Sequence, residues 1–186
     1  MYENFNYGDE TQFLQKRTAR GKGIRHKWYR ADEDEQHMRN EKLTSLNFEK
    51  YAAEGHRFVN EVAYELGVNP NMAARITRAV LHALRDRMKP GDAIQFAQGL
   101  PMALKGVYID RYDLSDAPVT IRNVNEFLAY VRSRNPNTAA TDFPDPKSVI
   151  DGLRGVFRVL ERTMDPGQVE QVRHIMNREL VKLIDG

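Results

Sequence analysis

The sequence predicts an all-α protein, a helical bundle of about seven helices built from two similar halves and preceded by an extended N-terminal arm. Residues 69–108 and 145–184 align without a gap at an offset of 76 residues, which indicates an internal duplication. Apolar residues recur at helical spacing through residues 47–186. A capping residue followed by proline also stands at the same place in both copies. We therefore expect two similar helical units around one pseudo-twofold axis.

The first unit contains four predicted helices. One runs from Phe48 to Leu66, where Gly67 ends it. The next opens with Asn69 as its cap and Pro70 in its first turn. Its inner face comprises Ala73, Ile76, Val80, Leu84 and Met88. A short helix through residues 93–97 and another from Met102 to Tyr108 follow, separated by Leu100 and Pro101.

The second unit repeats this pattern with fewer interruptions. After the loop 110–119, a helix is predicted through residues 124–131, and a linker spans residues 135–144. Asp145 and Pro146 then open a helix that reaches Met164. No proline interrupts the sequence after Gly167, so we expect one continuous helix through Leu183.

Composition divides the chain into a polar, charge-segregated arm at residues 1–46 and a duplicated all-α domain at residues 47–186. A domain of about 140 residues buries roughly two thirds of its unfolded surface, so it needs no disulfide or structural metal. The absence of cysteine excludes thiolate metal sites and suits a reducing compartment. No long apolar run occurs, so we expect a cytoplasmic protein with no membrane span.

One stretch of the first unit carries a family resemblance. The chain resembles the bacterial domain-of-unknown-function 2267 family in three places, which are Val80 to Met88, the turn Pro90-Gly91 and the segment from Ala97 to Pro101. The resemblance extends over residues 48–184 and implies an all-α fold of two similar halves. It implies no established activity, cofactor or catalytic residue. The chain departs from the family pattern at Gly99, at Tyr112 and throughout the arm.

Residue types that carry catalysis or bind metals are scattered. The five histidines lie apart from other ligands, which favours surface or hydrogen-bonded helix positions, and the four serines suit helix caps. Asp110, Asp113 and Asp116 are spaced like oxygen ligands, but they lack the glycine and the closing glutamate of a calcium loop. We therefore predict no catalytic residue, no metal site and no cofactor.

The arm contains the strongest functional signal. Residues 16–30 hold seven Lys or Arg and no acid, and four acids follow at residues 32–35. Cations can neutralise phosphates while aromatic rings stack on bases. The predicted partner-binding residues are Lys16, Arg17, Arg20, Lys22, Arg25, Lys27, Trp28, Tyr29 and Arg30. The alternative interpretation is a solvated, disordered tail whose acids fold back on its bases.

Two classes of function are consistent with these observations. The first is a non-enzymatic adaptor whose arm docks on an acidic partner, which would be RNA, a ribonucleoprotein such as the ribosome, or the acidic surface of a large protein assembly. The second is an enzyme or small-ligand-binding protein that uses the cleft between the halves. Polar groups for that cleft could come from Tyr108, Asp110, Arg111 and Tyr112.

Removal of residues 1–46 is expected to leave a cooperatively unfolding helical domain, because every periodic apolar helix lies in residues 47–186. Thermal unfolding of the full chain and the truncated chain, followed by circular dichroism, tests this. Phe13 or Trp28 could instead pack into a groove on the domain. A large loss of thermal stability on truncation would show that the arm belongs to the core.

Overall fold

The computed structural model describes residues 46–176 and 178–185. All regular structure in these residues is helical, which confirms the all-α prediction. Their helices are α1 (Phe48–Leu66), α2 (Pro70–Asp86), α3 (Pro90–Gly99), α4 (Met102–Ile109), α5 (Val124–Ser133), α6 (Ala139–Asp142), α7 (Pro146–Thr163), α8 (Pro166–Ile175) and α9 (Arg178–Asp185). The first half of the bundle comprises α1 to α4, and the second half comprises α5 to α9.

Local hydrogen bonds set the ends of the long helices. The Asn69 side chain accepts the Met72 N–H at 2.9 Å, and the Asp145 side chain accepts the Ser148 N–H at 2.7 Å. The Ser148 hydroxyl also accepts the Asp145 N–H, which completes a capping box at the start of α7. Helix α1 ends at Gly67, whose φ of 64° is the left-handed conformation that favours glycine.

The prediction of one continuous helix after Gly167 is wrong, because the chain leaves the helical conformation at Met176. Its φ of −79° and ψ of 146° are extended values. Leu100 separates α3 from α4 at the equivalent place, with φ −73° and ψ 148°. Both side chains are buried. Helix α9 packs back onto α7 and buries Leu180, which requires the chain to turn at Met176. The helix is therefore interrupted there without any proline.

A second difference is α6, which lies in the segment predicted as a linker. The Asp142 carboxylate accepts two hydrogen bonds from Arg75, at 2.8 and 2.6 Å, and one each from Asn135 and Thr138. Burial raises the pKa of Asp142, but these hydrogen bonds and the Arg75 charge lower it overall. With α6 and the division at Met176, the described residues contain nine helices, two more than predicted.

Equivalent helices of the two halves meet in the middle of the bundle. Helix α2 packs against α7 and α3 against α8, while α1 packs on α7 and α5 packs on α2. The Gln171 amide nitrogen lies 3.3 Å from the Gln95 amide oxygen, and these residues are 76 positions apart. Ile76 also contacts its equivalent Gly152, where an added Cβ would lie 3.1 Å from the Ile76 Cγ2. These contacts have the pattern that a pseudo-twofold axis requires, while the duplication itself stays a prediction.

Helix α1 lies close to two neighbouring helices because of glycine. A Cβ added at Gly55 would lie 2.9 Å from the Ala103 Cβ on α4. A Cβ added at Gly155 on α7 would lie 2.5 Å from the Leu66 Cδ2 at the end of α1. Real Cβ atoms do not come so close to carbon, so glycine is needed opposite the Ala103 Cβ, whereas a larger residue at position 155 would require the Leu66 side chain to move. Helix α1 thereby packs closely on α4 of its own half and on α7 of the second half.

Leu84 and Leu160 are expected to contribute equally to stability, because they stand at equivalent places in the core and are 2% and 1% exposed. Changing either to alanine should lower the free energy of unfolding by about 2–5 kcal/mol. Equilibrium urea denaturation measures this. The Ile94→Ala change is the control, because Ile94 is 48% exposed. A core variant that unfolds at the same urea concentration as this control would contradict the shared core.

Candidate functional site

The residues predicted to bind a partner, Lys16 to Arg30, lie outside the described residues. The four cleft candidates are described, so the structure shows where each of them stands. Three of the four converge on one arginine that the sequence reading did not single out.

That arginine is Arg85, in the last turn of α2, and its side chain is fully buried. Its Nε donates to the Asp86 carboxylate at 2.8 Å. Its Nη1 donates to the carbonyl oxygens of Tyr108 and Asp110, the latter at 3.0 Å. The guanidinium also stacks on Tyr112, with its carbon 4.6 Å from the ring centroid. Arg85 therefore binds the chain where α4 ends and the connector between the halves begins.

Asp86 binds the far end of the same connector. Its second carboxylate oxygen accepts the Tyr130 hydroxyl at 2.9 Å and lies 3.4 Å from the Arg134 Nη2. Its backbone carbonyl accepts the Val119 N–H at 2.6 Å. Tyr130 and Arg134 belong to the second half. We call Arg85, Asp86, Tyr112, Tyr130 and Arg134 the Arg85–Asp86 cluster.

The tyrosines near this cluster are neutral groups. Tyr108 is fully buried, and its hydroxyl contacts the Met88 sulfur at 3.7 Å. Burial raises the pKa of Tyr108 and of Tyr112, and it raises the pKa of Tyr130 to about 12. Such phenols act as hydrogen-bond donors rather than as bases near neutral pH.

The side chains of two cleft candidates, Asp110 and Arg111, face solvent. The Asp110 carboxylate pairs with Arg78 at 2.8 Å, and Arg111 adopts a left-handed φ of 54°. Arg111 borders a cavity of about 80 Å³ together with Asp113 and Asp116. A cavity of that size holds only a few water molecules. The connector thus surrounds Arg85 and leaves no organic-ligand pocket at this point.

The aspartates and histidines that could in principle bind a metal have other roles among the described residues. The Asp113 carboxylate accepts both the backbone N–H and the hydroxyl of Ser115, and these bonds lower the pKa of Asp113. His82 is buried with its Nε2 2.6 Å from the Val107 carbonyl oxygen, and burial lowers the pKa of His82 to about 4. Across residues 46–176 and 178–185, no group of three His, Asp or Glu side chains could hold a metal ion.

Sequence reasoning missed Arg85, Asp86, Tyr130 and Arg134. The repeat held one signal, because Arg85-Asp86 aligns with Glu161-Arg162, where the two charges are exchanged. A charge reversal at aligned positions of two copies shows that the halves differ in their ion pairs. Tyr130 and Arg134 carried no such signal, because their contact with Asp86 joins residues more than 40 positions apart.

Larger grooves lie elsewhere on the described surface. One of about 690 Å³ runs between α1, the segment Gly99–Pro101 and the end of α7, so both halves line it. A groove of about 580 Å³ adjoins it and shares Arg57, Glu61 and Arg162 with it. The second half has two more grooves, of about 630 and 160 Å³.

Most of the helical domain matches a known protein family. Residues 55–183 match the family described as "Uncharacterized conserved protein (DUF2267)". The chain belongs to this family. The matched part of this DUF2267 protein includes the Arg85–Asp86 cluster and reaches into every groove, and it excludes the arm. A search of curated proteins gives no match.

Membrane crossing can be assessed for the part of this DUF2267 protein that the structure describes. None of the helices there combines the length and the apolar composition that a bilayer span needs.

The Asp86→Ala change is expected to lower the free energy of unfolding by about 3–5 kcal/mol, because it leaves the buried Arg85 without its carboxylate. Equilibrium urea denaturation measures the loss. Asp110→Ala is the matched control, since it breaks an exposed ion pair with Arg78 and should cost about 1 kcal/mol or less. Equal losses in the two variants would contradict a structural role for the buried pair.

Proposed function

We propose that this DUF2267 protein is a non-enzymatic helical adaptor whose segment 16–30 binds an acidic macromolecule, with RNA as the first partner to test. The observation that carries the proposal is the coincidence of seven cations with Trp28 and Tyr29 in fifteen residues that contain no acid. Guanidinium groups bind phosphates, and the rings can stack on bases of any sequence.

The described domain supports the adaptor in two ways. Three of the four cleft candidates, Tyr108, Asp110 and Tyr112, contact Arg85 at the start of the connector, so a structural role accounts for them. In the same region, Tyr108 and Tyr130 donate hydrogen bonds through their hydroxyls, and Tyr112 stacks on Arg85. A rigid domain that presents a charged arm is suited to docking. The proposal places the protein in the cytoplasm and requires no cofactor or metal.

A second candidate function, a small-ligand-binding protein or an enzyme, is favoured by the 690 Å³ groove. Both halves line this groove, and it contains the Leu100-Pro101 pair that the family resemblance singled out. Its polar groups include Glu54, Arg57 and Arg162, which differ from the residues predicted for the cleft. A small molecule that remains bound in native mass spectrometry of the purified full chain would support this second function over the adaptor.

Changing Arg17, Arg20, Arg25 and Arg30 together to glutamate is expected to abolish binding of a mixed-sequence single-stranded RNA, because the variant repels phosphates. Fluorescence anisotropy of a labelled 20-mer measures the affinity at several salt concentrations. If all seven cations meet phosphates, the log–log salt slope of the unmodified chain is about −5, from roughly 0.7 per phosphate. Trp28→Ala should weaken binding by about 1–3 kcal/mol if a base stacks on the ring.

The control replaces Arg57, Lys89, Arg122 and Arg132 with glutamate. These four side chains are exposed and have no ion pair among the described residues. The control makes the same change in net charge and should bind RNA more strongly than the arm variant does. Unchanged binding by the arm variant at physiological salt would refute docking through residues 16–30, and a shallow slope with capture of an acidic protein would point to a protein partner.

A further inference from the structure

The second half carries a concentration of positive charge along two adjoining grooves. A groove of about 630 Å³ lies along α8 and α9, and one of about 160 Å³ lies between α7 and the same two helices. Arg173 and Asp185 line both, so the two grooves adjoin. The cations that line them are Arg154, Arg158, Arg173, Arg178 and Lys182. We call these two grooves the basic groove.

Carboxylates compensate only part of this charge. Glu161, Glu170 and Asp185 are the three carboxylates in the lining, against five cations. Arg173 forms ion pairs with both Glu161 and Asp185, and the Glu170 Oε1 lies 3.4 Å from the His174 Nδ1. These contacts fix the position of Arg173 and leave an excess of positive charge along the groove.

The other cations are available to a ligand. Arg154 uses its Nε to donate to the Leu183 carbonyl oxygen at 2.7 Å. The Arg158 side chain is 60% exposed, and its Nη1 donates a long hydrogen bond of 3.4 Å to the Glu65 carboxylate. Arg178 and Lys182 are exposed and have no ion pair in the part of the chain that the structure describes.

Four of the five cations have no arginine or lysine at the equivalent place in the first half, whereas Arg154 aligns with Arg78. At the 76-residue offset, Arg158 aligns with His82, Arg173 with Ala97, Arg178 with Met102 and Lys182 with Gly106. Of these four equivalents only histidine can carry a positive charge, and burial lowers the pKa of His82 to about 4, so it is neutral at pH 7. The apolar residues that pack α9, such as Leu180 and Ile184, are buried without help from the cations.

We propose that the basic groove binds phosphates of a single-stranded RNA, as a second contact surface in addition to segment 16–30. This inference rests on the proposed function and deepens it. Guanidinium groups recognise phosphate in a bidentate manner, and a chain of phosphates can meet cations in both adjoining parts of the groove. His174 is exposed on the same surface and offers an imidazole on which a base can stack.

The test replaces Arg158, Arg178 and Lys182 with glutamine in the full chain. Its matched control replaces Arg122, Arg132 and Lys89 with glutamine, which also removes two arginines and one lysine from exposed positions. Anisotropy of a labelled mixed-sequence 20-mer RNA gives the affinity and its salt slope. Three lost phosphate contacts should make the log–log slope shallower by about 2 and weaken binding by tenfold or more, a rough expectation at low salt. The control should keep the original slope.

Four results would overturn the inference. The groove variant could retain the original affinity and slope, or the control could lose as much affinity, which would indicate an effect of net charge alone. Displacement of the RNA by inorganic phosphate at an equal phosphate concentration would indicate a site for a free anion, and displacement by polyglutamate as effective as by unlabelled RNA would indicate an acidic protein. Circular dichroism of each variant confirms that the helices remain.

The outcome also separates this inference from the proposed function. If the four-arginine arm variant loses RNA binding while the groove variant is unchanged, the arm binds RNA and the groove does not. If the groove variant loses binding while the arm variant is unchanged, the groove binds RNA and segment 16–30 does not. Loss in both variants, with the controls intact, supports one RNA contacting both surfaces.

Discussion

The buried ion pair between Arg85 and Asp86 is the constraint on which the joining of the two halves depends. A guanidinium without water is costly unless its donors find partners, and a lone buried charge costs more than a pair. The Arg85 Nη1 finds partners in the backbone at the start of the connector, and Asp86 finds them at its end and on α5, while the Arg85 Nη2 has no hydrogen-bond partner among the described residues. The cost of burying two charges is thus offset only when the connector and the second half are both in place.

Contact between aligned residues of the two halves imposes a second constraint. Where such residues meet, two large side chains cannot occupy the same space, so one of the two must be small. Ile76 packs on Gly152, whereas Gln95 and Gln171 have amide groups that can face each other. The same divergence appears in the charges, because Arg85-Asp86 in one copy corresponds to Glu161-Arg162 in the other. The halves share a framework of caps and apolar positions and differ where they touch each other or solvent.

Most of the framework could be predicted because it depends on local patterns. Caps at Asn69 and Asp145 act within three residues, and the amphipathic faces of α1, α2 and α7 repeat every three or four residues. The division at Met176 could not be predicted, because it follows from packing of α9 on a helix distant in sequence. The Arg85–Asp86 cluster was missed for the same reason, and the cleft candidates were found only as its neighbours. The partner-binding residues of the arm remain a prediction.

The contact of Gly55 with Ala103 has a consequence for how the family can vary. The family match begins at residue 55, and the space between α1 and α4 admits only about one methyl group at this crossing. A relative that carries alanine at position 55 would therefore need glycine at position 103 to keep the same spacing. We expect these two positions to covary among homologues, so that the combined volume of the two side chains is conserved and the identity of each residue is not.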